Sequence, residues 1–236
     1  MEIYLLNVNE LMQACDESRF TALLSRLDKV RREKVLSAKM PRVRAAELGA
    51  GLLLQKAVQD WQKQKTNYGA AQRFSLEKSP DGVLCTVSDL VSQLTEPLAL
   101  TYRYGEKGKP YFQEIPLFFS LSHSGEYVLC AVSCREVGAD IQKLQPADVW
   151  KLAKRFYSEA ECLALKRCES EEERQRLFFE LWSRKEAYGK LTGTGVTAVL
   201  GQDFGSGAAA SDIEWAAVSP PQGYTAAVCV RRKDSV

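Results

Sequence analysis

One order of elements is written into this chain twice, and that repetition constrains its fold more than any other feature. Residues 3–8, IYLLNV, form an apolar run that predicts an opening strand. Residues 17–35 follow with Leu23, Leu24, Leu27 and Val30 at helical spacing. A longer helix is expected from Val43 to about Lys63, where AAELGAGLLLQKAVQDW has no proline and one apolar stripe. Residues 66–113 are turn-rich (Pro80-Asp81-Gly82, Gly105, Gly108-Lys109-Pro110), with VLCTV and LALTY as short strands between the turns. Leu117–Ser122 and YVLCAVS then close this half around a turn at Ser124-Gly125. The second half repeats the plan with a strand at Val137–Ile141, then a short helix opened by Ser158 and Glu161 as a capping box. Ser170 and Glu173 open a long helix that runs through RLFFELWSRKEAYGKL and stops near Gly193 and Gly195. A Gly/Ala loop at 205–210 precedes the last two strands, IEWAAV and YTAAVCV, and GYTAAVCV echoes the earlier GEYVLCAVS. The expectation is an internally duplicated α+β unit with a cleft between its halves.

Charge and cysteine content narrow the function. Lys and Arg number 32 against 30 Asp and Glu, a net charge of +2, so the chain as a whole does not advertise a nucleic-acid binder. No apolar run approaches the ~18 residues of a membrane span. The opening MEIYLLNVNE lacks a signal-peptide core, so export is not expected. Seven cysteines (15, 85, 130, 134, 162, 168 and 229) contain no C-x-x-C pair, which suits reduced cytosolic thiols better than a disulfide frame or a zinc knuckle. The single histidine, His123, excludes any multi-histidine metal site. A bound metal would take mostly oxygen ligands, which favours Mg²⁺.

Four groups of residues could carry chemistry. Asp140 and Gln142 are two apart on a strand, so both leave one face while Ala139 and Ile141 leave the other. They are either two ligands for a hard cation or the polar face of an edge strand. Glu186 and Lys190 stand at i, i+4 on the long helix, either as a surface ion pair or facing Asp140; Trp182 and Tyr188 beside them read as core. The segment 26–44 carries eight basic residues and two acids, +6 against −4 for the remainder, and suits a phosphate-binding arm as well as a solvated helix face. Lys109 on its turn, and Ser122-His123-Ser124 before a strand, add an ammonium, hydroxyls and an imidazole. A serine hydrolase built on Ser122 or Ser124 with His123 is disfavoured, because adjacent residues seldom present nucleophile to base and no G-x-S-x-G elbow occurs.

GKP (108–110), SLSHSG (120–125), VGADIQ (137–142) and WSRKEAYGKLTGTG (182–195), in this order and spacing, resemble the 4′-phosphopantetheinyl transferases of the broad-specificity, surfactin-synthetase-activating type. The likeness runs from the REK stretch at 32–34 to the closing strands. It implies a cytoplasmic, monomeric α+β enzyme with two similar subdomains, here 1–120 and 121–236, in a pseudo-twofold pair with the active site at their interface. It also implies the reaction: a serine of an apo acyl or peptidyl carrier protein takes the phosphopantetheine arm of coenzyme A, and 3′,5′-ADP leaves. By motif, Asp140 and Glu186 match magnesium ligands, with Gln142 standing where the family usually has glutamate. Glu186 also matches the proposed base, and Lys190 a lysine on the coenzyme A phosphates. Lys109, Ser122 and His123 match coenzyme A contacts, His123 near the 3′-phosphate, with Arg31 and Lys34 aligned to the same phosphate. No membrane or nucleic-acid partner is implied; the competing reading is a non-enzymatic phosphate- or nucleic-acid-binding module built on the 26–44 arm.

Overall fold

The computed structural model describes residues 1–14, 17–68, 83–94, 96–206 and 211–233. Its centre is β1 (Glu2–Asn7), whose four inner residues are all buried. Such a strand needs cover on both faces, and the residues that alternate along it find different partners. Tyr4 and Leu6 pack with the long helix behind the sheet, whereas Ile3 and Leu5 pack against a second sheet. In chain order α1 (Val8–Ala14), α2 (Glu17–Ser25), α3 (Lys29–Ser37) and α4 (Pro41–Tyr68) follow, with Pro41 in the first helical position, where its missing N–H costs nothing. Next come β2 (Val83–Cys85), α5 (Val87–Gln93), a hairpin of β3 (Tyr102–Tyr104) and β4 (Pro110–Phe112), then β5 (Phe118–Ser124) and β6 (Tyr127–Ser133). The first sheet has the order β2-β1-β6-β5, parallel only between β1 and β2.

The remaining elements are β7 (Val137–Lys143), α6 (Val149–Phe156), α7 (Glu159–Arg167), α8 (Glu171–Thr192), a 3₁₀ turn at Val196–Val199, β8 (Ile213–Ala216) and β9 (Tyr224–Arg231). They build a second, antiparallel sheet of order β7-β9-β8. Val137, Ala139 and Ile141 of β7 and Val228 and Val230 of β9 fill the space between the sheets, while Ala227 and Cys229 turn to α8. The layers are therefore α4, first sheet, second sheet, α8. No described helix is long and apolar enough to cross a membrane.

Several sequence expectations shift. The run 17–35 is not one helix: Asp28 stays extended and its carboxylate accepts the Arg31 N–H, ending α2 and capping α3. Thr86 and Asp89 form a capping box, so VLCTV passes into α5 instead of continuing as a strand. LALTY is strand only at its last residue, because the pairing with β4 begins at Tyr102. Helix α6, capped by Asp148, had no counterpart in the sequence reading. The Ser158–Glu161 box forms, whereas at Ser170 only half of one does: Glu173 accepts from the Glu169 N–H instead. The division expected at 120 falls inside β5, and β6 pairs with β1, so the chain changes sheets between Ser133 and Val137. Of the expected Gly/Ala loop, 207–210 lie outside the described residues, as do Cys15 and the Pro80-Asp81-Gly82 turn.

Candidate active site

The two sheets meet along β5 and β7, and serine side chains make the join. Ser120, Ser122 and Ser124 accept the backbone N–H groups of Ala139, Ile141 and Lys143 at 2.9, 3.3 and 3.0 Å. Donors on the free edge of β7 are thereby satisfied without a backbone ladder. Ser122 does more. Its hydroxyl also donates to Asp140 Oδ1 at 2.7 Å and accepts from Lys190 Nζ at 2.9 Å. Lys190 reaches Asp140 Oδ1 directly at 2.7 Å, and Gln142 Nε2 donates to Asp140 Oδ2 at 2.9 Å. Asp140 is buried, on the face opposite Ala139 and Ile141, as the strand alternation requires.

What brings α8 so close to β7 is Gly138. A Cβ there would lie 1.9 Å from the Ala187 carbonyl oxygen and 2.7 Å from the Leu191 nitrogen, so only glycine admits the helix. At its far end α8 stops where Gly193 takes φ 71°, a left-handed value. Lys109 Nζ reaches across from the β3–β4 hairpin, donating to the Leu191 carbonyl at 2.6 Å and lying 5.2 Å from the Tyr111 ring centre.

Glu186 is half-buried one helical turn before Lys190. Burial raises its pKa above the usual carboxylate range, repulsion from Asp140 adds to the rise, and Lys190 opposes it. Asp140 and Glu186 carry the carboxylate oxygens that a hard cation such as Mg²⁺ would take, while Gln142 turns its Nε2 to Asp140 and would have to turn its amide oxygen to join them. Among the described residues no group of three or more His, Cys, Asp and Glu is gathered for a metal, so a cation held by Asp140 and Glu186 would draw its remaining donors from Gln142, phosphate or water. Lys109 is shifted the other way: burial lowers its pKa to about 8, against the pull of Glu136.

Beside this cluster lies a cleft of about 380 Å³. Arg31 and Lys34 of α3, Lys109 of the hairpin, His123 of β5 and Lys190 of α8 line it, so five of the predicted side chains face one space. Ser122 sits beneath, bonded to Lys190. Arg31 is buried, its Nε has no hydrogen-bond partner, and its guanidinium comes no nearer to Glu47 than 3.8 Å. The other arginines of the basic arm are spent on their own chain. Arg26 donates to the Val91 carbonyl, Arg32 to that of Leu27 and Arg44 to that of Ala38, while Arg42 pairs with Glu126. A hydrolase on Ser122 fails on geometry, since its hydroxyl donates to Asp140 and not to His123. Trp182 stacks near Phe156 and Phe178, and Tyr188 lies against Phe204, as core residues do.

The sequence reading missed the serine seam, although S-L-S-H-S puts three hydroxyls on one side of a strand. It also missed a clasp at the end of that seam, where Glu126 accepts from Tyr224, Lys143 and Arg42. Those partners hold the Glu126 carboxyl down at about 2.

Comparison with known proteins bears on the same segment. The family model of the 4′-phosphopantetheinyl transferase superfamily matches residues 136–227, which include Asp140, Gln142, Glu186 and Lys190 but not the residues contributed by α3, the hairpin and β5. The chain is 42% identical over 107 residues to the 4′-phosphopantetheinyl transferase HetI of Nostoc, covering 43% of this chain and 45% of that one. It is 39% identical over 137 residues to the psf-1 transferase of Bacillus pumilus (53% and 58% covered) and 38% identical over 96 residues to the Sfp transferase of Bacillus subtilis (40% and 42% covered). The matches span about half the length of these curated relatives. The segment that holds the acidic cluster and Lys190 is thus similar to the 4′-phosphopantetheinyl transferase superfamily.

Proposed function

We propose that the cleft binds coenzyme A and that the protein transfers its 4′-phosphopantetheine arm to a serine of an apo acyl or peptidyl carrier protein. The observation that carries this reading is Lys190, whose ammonium both bonds Asp140 and lines the basic cleft, so that phosphate-binding and carboxylate groups meet at one atom. In the reaction the serine oxygen forms a bond to the β-phosphorus of coenzyme A, the bond from that phosphorus to the bridging oxygen breaks, and 3′,5′-ADP leaves. Glu186 takes the hydroxyl proton. Lys190 and Lys109 neutralise charge that builds on the diphosphate. Arg31, Lys34 and His123 hold the 3′-phosphate, and their sharing one cleft supports that assignment. Mg²⁺ held by Asp140, Glu186 and Gln142 would supply Lewis-acid stabilisation of the diphosphate.

Connection order supports a pseudo-twofold pair of subdomains. Strand, short helices, long helix and closing hairpin give β1-β6-β5 in one half and β7-β9-β8 in the other. We place the boundary at the turn after Ser133, in place of residue 120, and read the protein as a cytoplasmic monomer. Coenzyme A labelled in its pantetheine arm should label the carrier, while coenzyme A labelled in its adenine should not. Binding of nucleic acid without any carrier labelling would favour the non-enzymatic module instead.

A further inference from the structure

Next to Glu186 in sequence, about 100° round the helix, a lysine is sealed in the interior. Lys185 has no exposed side-chain surface, and its ammonium pairs at 2.8 Å with Glu161, which is equally enclosed. It also donates to the Gln202 carbonyl and lies 5.2 and 5.0 Å from the ring centres of Tyr157 and Phe204. Glu161 is saturated in turn: Oε2 takes the Ser158 N–H at 2.9 Å as well as Lys185, and Oε1 takes the Phe204 N–H at 3.0 Å. Helix α7, the segment before Phe204 and α8 thus converge on a single ion pair.

An apolar side chain of similar volume would fill this space without the cost of burying two charges. What the pair adds is direction. An ammonium with fixed partners on two other segments permits one rotation of α8 about its axis. A carboxylate about 6 Å from that axis moves about 1 Å for every 10° of rotation. We propose that the buried Lys185–Glu161 pair is a positioning device that fixes the rotation of α8 and so aims Glu186 at Asp140 and the incoming hydroxyl. This inference rests on the transferase reading given above.

A double-mutant cycle in the full-length protein tests it. Lys185→Met should lower kcat about tenfold to a hundredfold, the scale of a misplacement near 1 Å, with a smaller rise in KM for coenzyme A because Lys190 turns with the same helix. In a Glu186→Gln background the same change should cost at least about threefold less, because only Lys190 is then left to be misplaced. Where Lys185→Met does not fold, Glu161→Gln, which keeps an oxygen for the Phe204 N–H, runs the same cycle. Equal losses in both backgrounds, or wild-type kcat in a folded variant, would overturn the positioning role. A Glu186→Gln variant with undiminished kcat would likewise overturn it, since Glu186 would then not be the group that needs aiming. A wild-type protein that transfers nothing would instead fail the transferase reading itself.

Discussion

Replacing Gly138 with alanine tests whether the contact between β7 and α8 sets the active geometry. The new methyl would begin 1.9 Å from the Ala187 carbonyl oxygen, backbone that cannot swing aside. Reaching ordinary contact near 3.4 Å moves the helix about 1.5 Å away from the strand. Ala187 lies between Glu186 and Lys190, so that shift is passed straight to both. The 2.7 Å bond from Lys190 to Asp140 would open beyond hydrogen-bonding range. Overpacking of this kind costs about 1–3 kcal/mol in stability, which a domain of ordinary stability survives. A displacement of about 1 Å in a positioned catalytic group costs about a hundredfold in rate. Thermal unfolding and kcat for transfer to an apo carrier, measured on one preparation, separate the two effects. The expected variant is folded, several degrees less stable and about a hundredfold slower. A folded variant that transfers at the wild-type rate would refute the claim that this contact aligns Glu186 and Lys190.

Glu186→Gln should lower kcat about 10²- to 10⁴-fold with KM for coenzyme A nearly unchanged, since the amide can accept no proton; weaker coenzyme A binding with kcat spared would make the residue a ligand alone. Because the Lys109 pKa sits at about 8, kcat/KM for coenzyme A should fall as pH rises past about 8, and Lys109→Arg should abolish that limb. The sign for stability is opposite: the folded chain holds this proton less tightly than the unfolded one, so the contribution of Lys109 to stability improves between about pH 8 and 10.5. Gln142→Glu sets a third carboxylate beside Asp140; without Mg²⁺ it should lower the melting temperature, and with it should lower the Mg²⁺ concentration for half-maximal rate. Identical magnesium titrations would mean that position 142 does not face the cation.

Periodicity was enough to reveal α4, α8 and the strands that carry Asp140 and Ser122, because each buries a regular apolar pattern. The i, i+2 and i, i+4 spacings then put Asp140, Gln142, Glu186 and Lys190 on usable faces, though not on facing ones. Their meeting depends on Gly138, whose role appears only when the helix is laid against it. Local competition for backbone donors explains the errors at Asp28 and Thr86: each side chain captures an N–H and starts a helix where the apolar pattern alone suggested continuity. The basic arm read as one feature, yet burial divides it into cleft-facing Arg31 and Lys34 and several arginines that bond their own chain. Lys185 was hidden for another reason: a lysine beside a glutamate in a charged helix looks solvated, and its partner Glu161 is 24 residues away on another helix.

The central claim is that Asp140, Glu186 and Lys190 together move a phosphopantetheine arm. Intact-mass measurement of an apo carrier protein, after incubation with either the wild-type chain or Asp140→Ala, tests it most directly. With coenzyme A and Mg²⁺ present, the wild-type chain should add the mass of one arm, and omitting either should leave the carrier unchanged. Asp140→Ala, folded by thermal unfolding, should leave the carrier at its apo mass. Equal conversion by Asp140→Ala, or no conversion by the wild type across apo acyl and peptidyl carriers, would contradict the account.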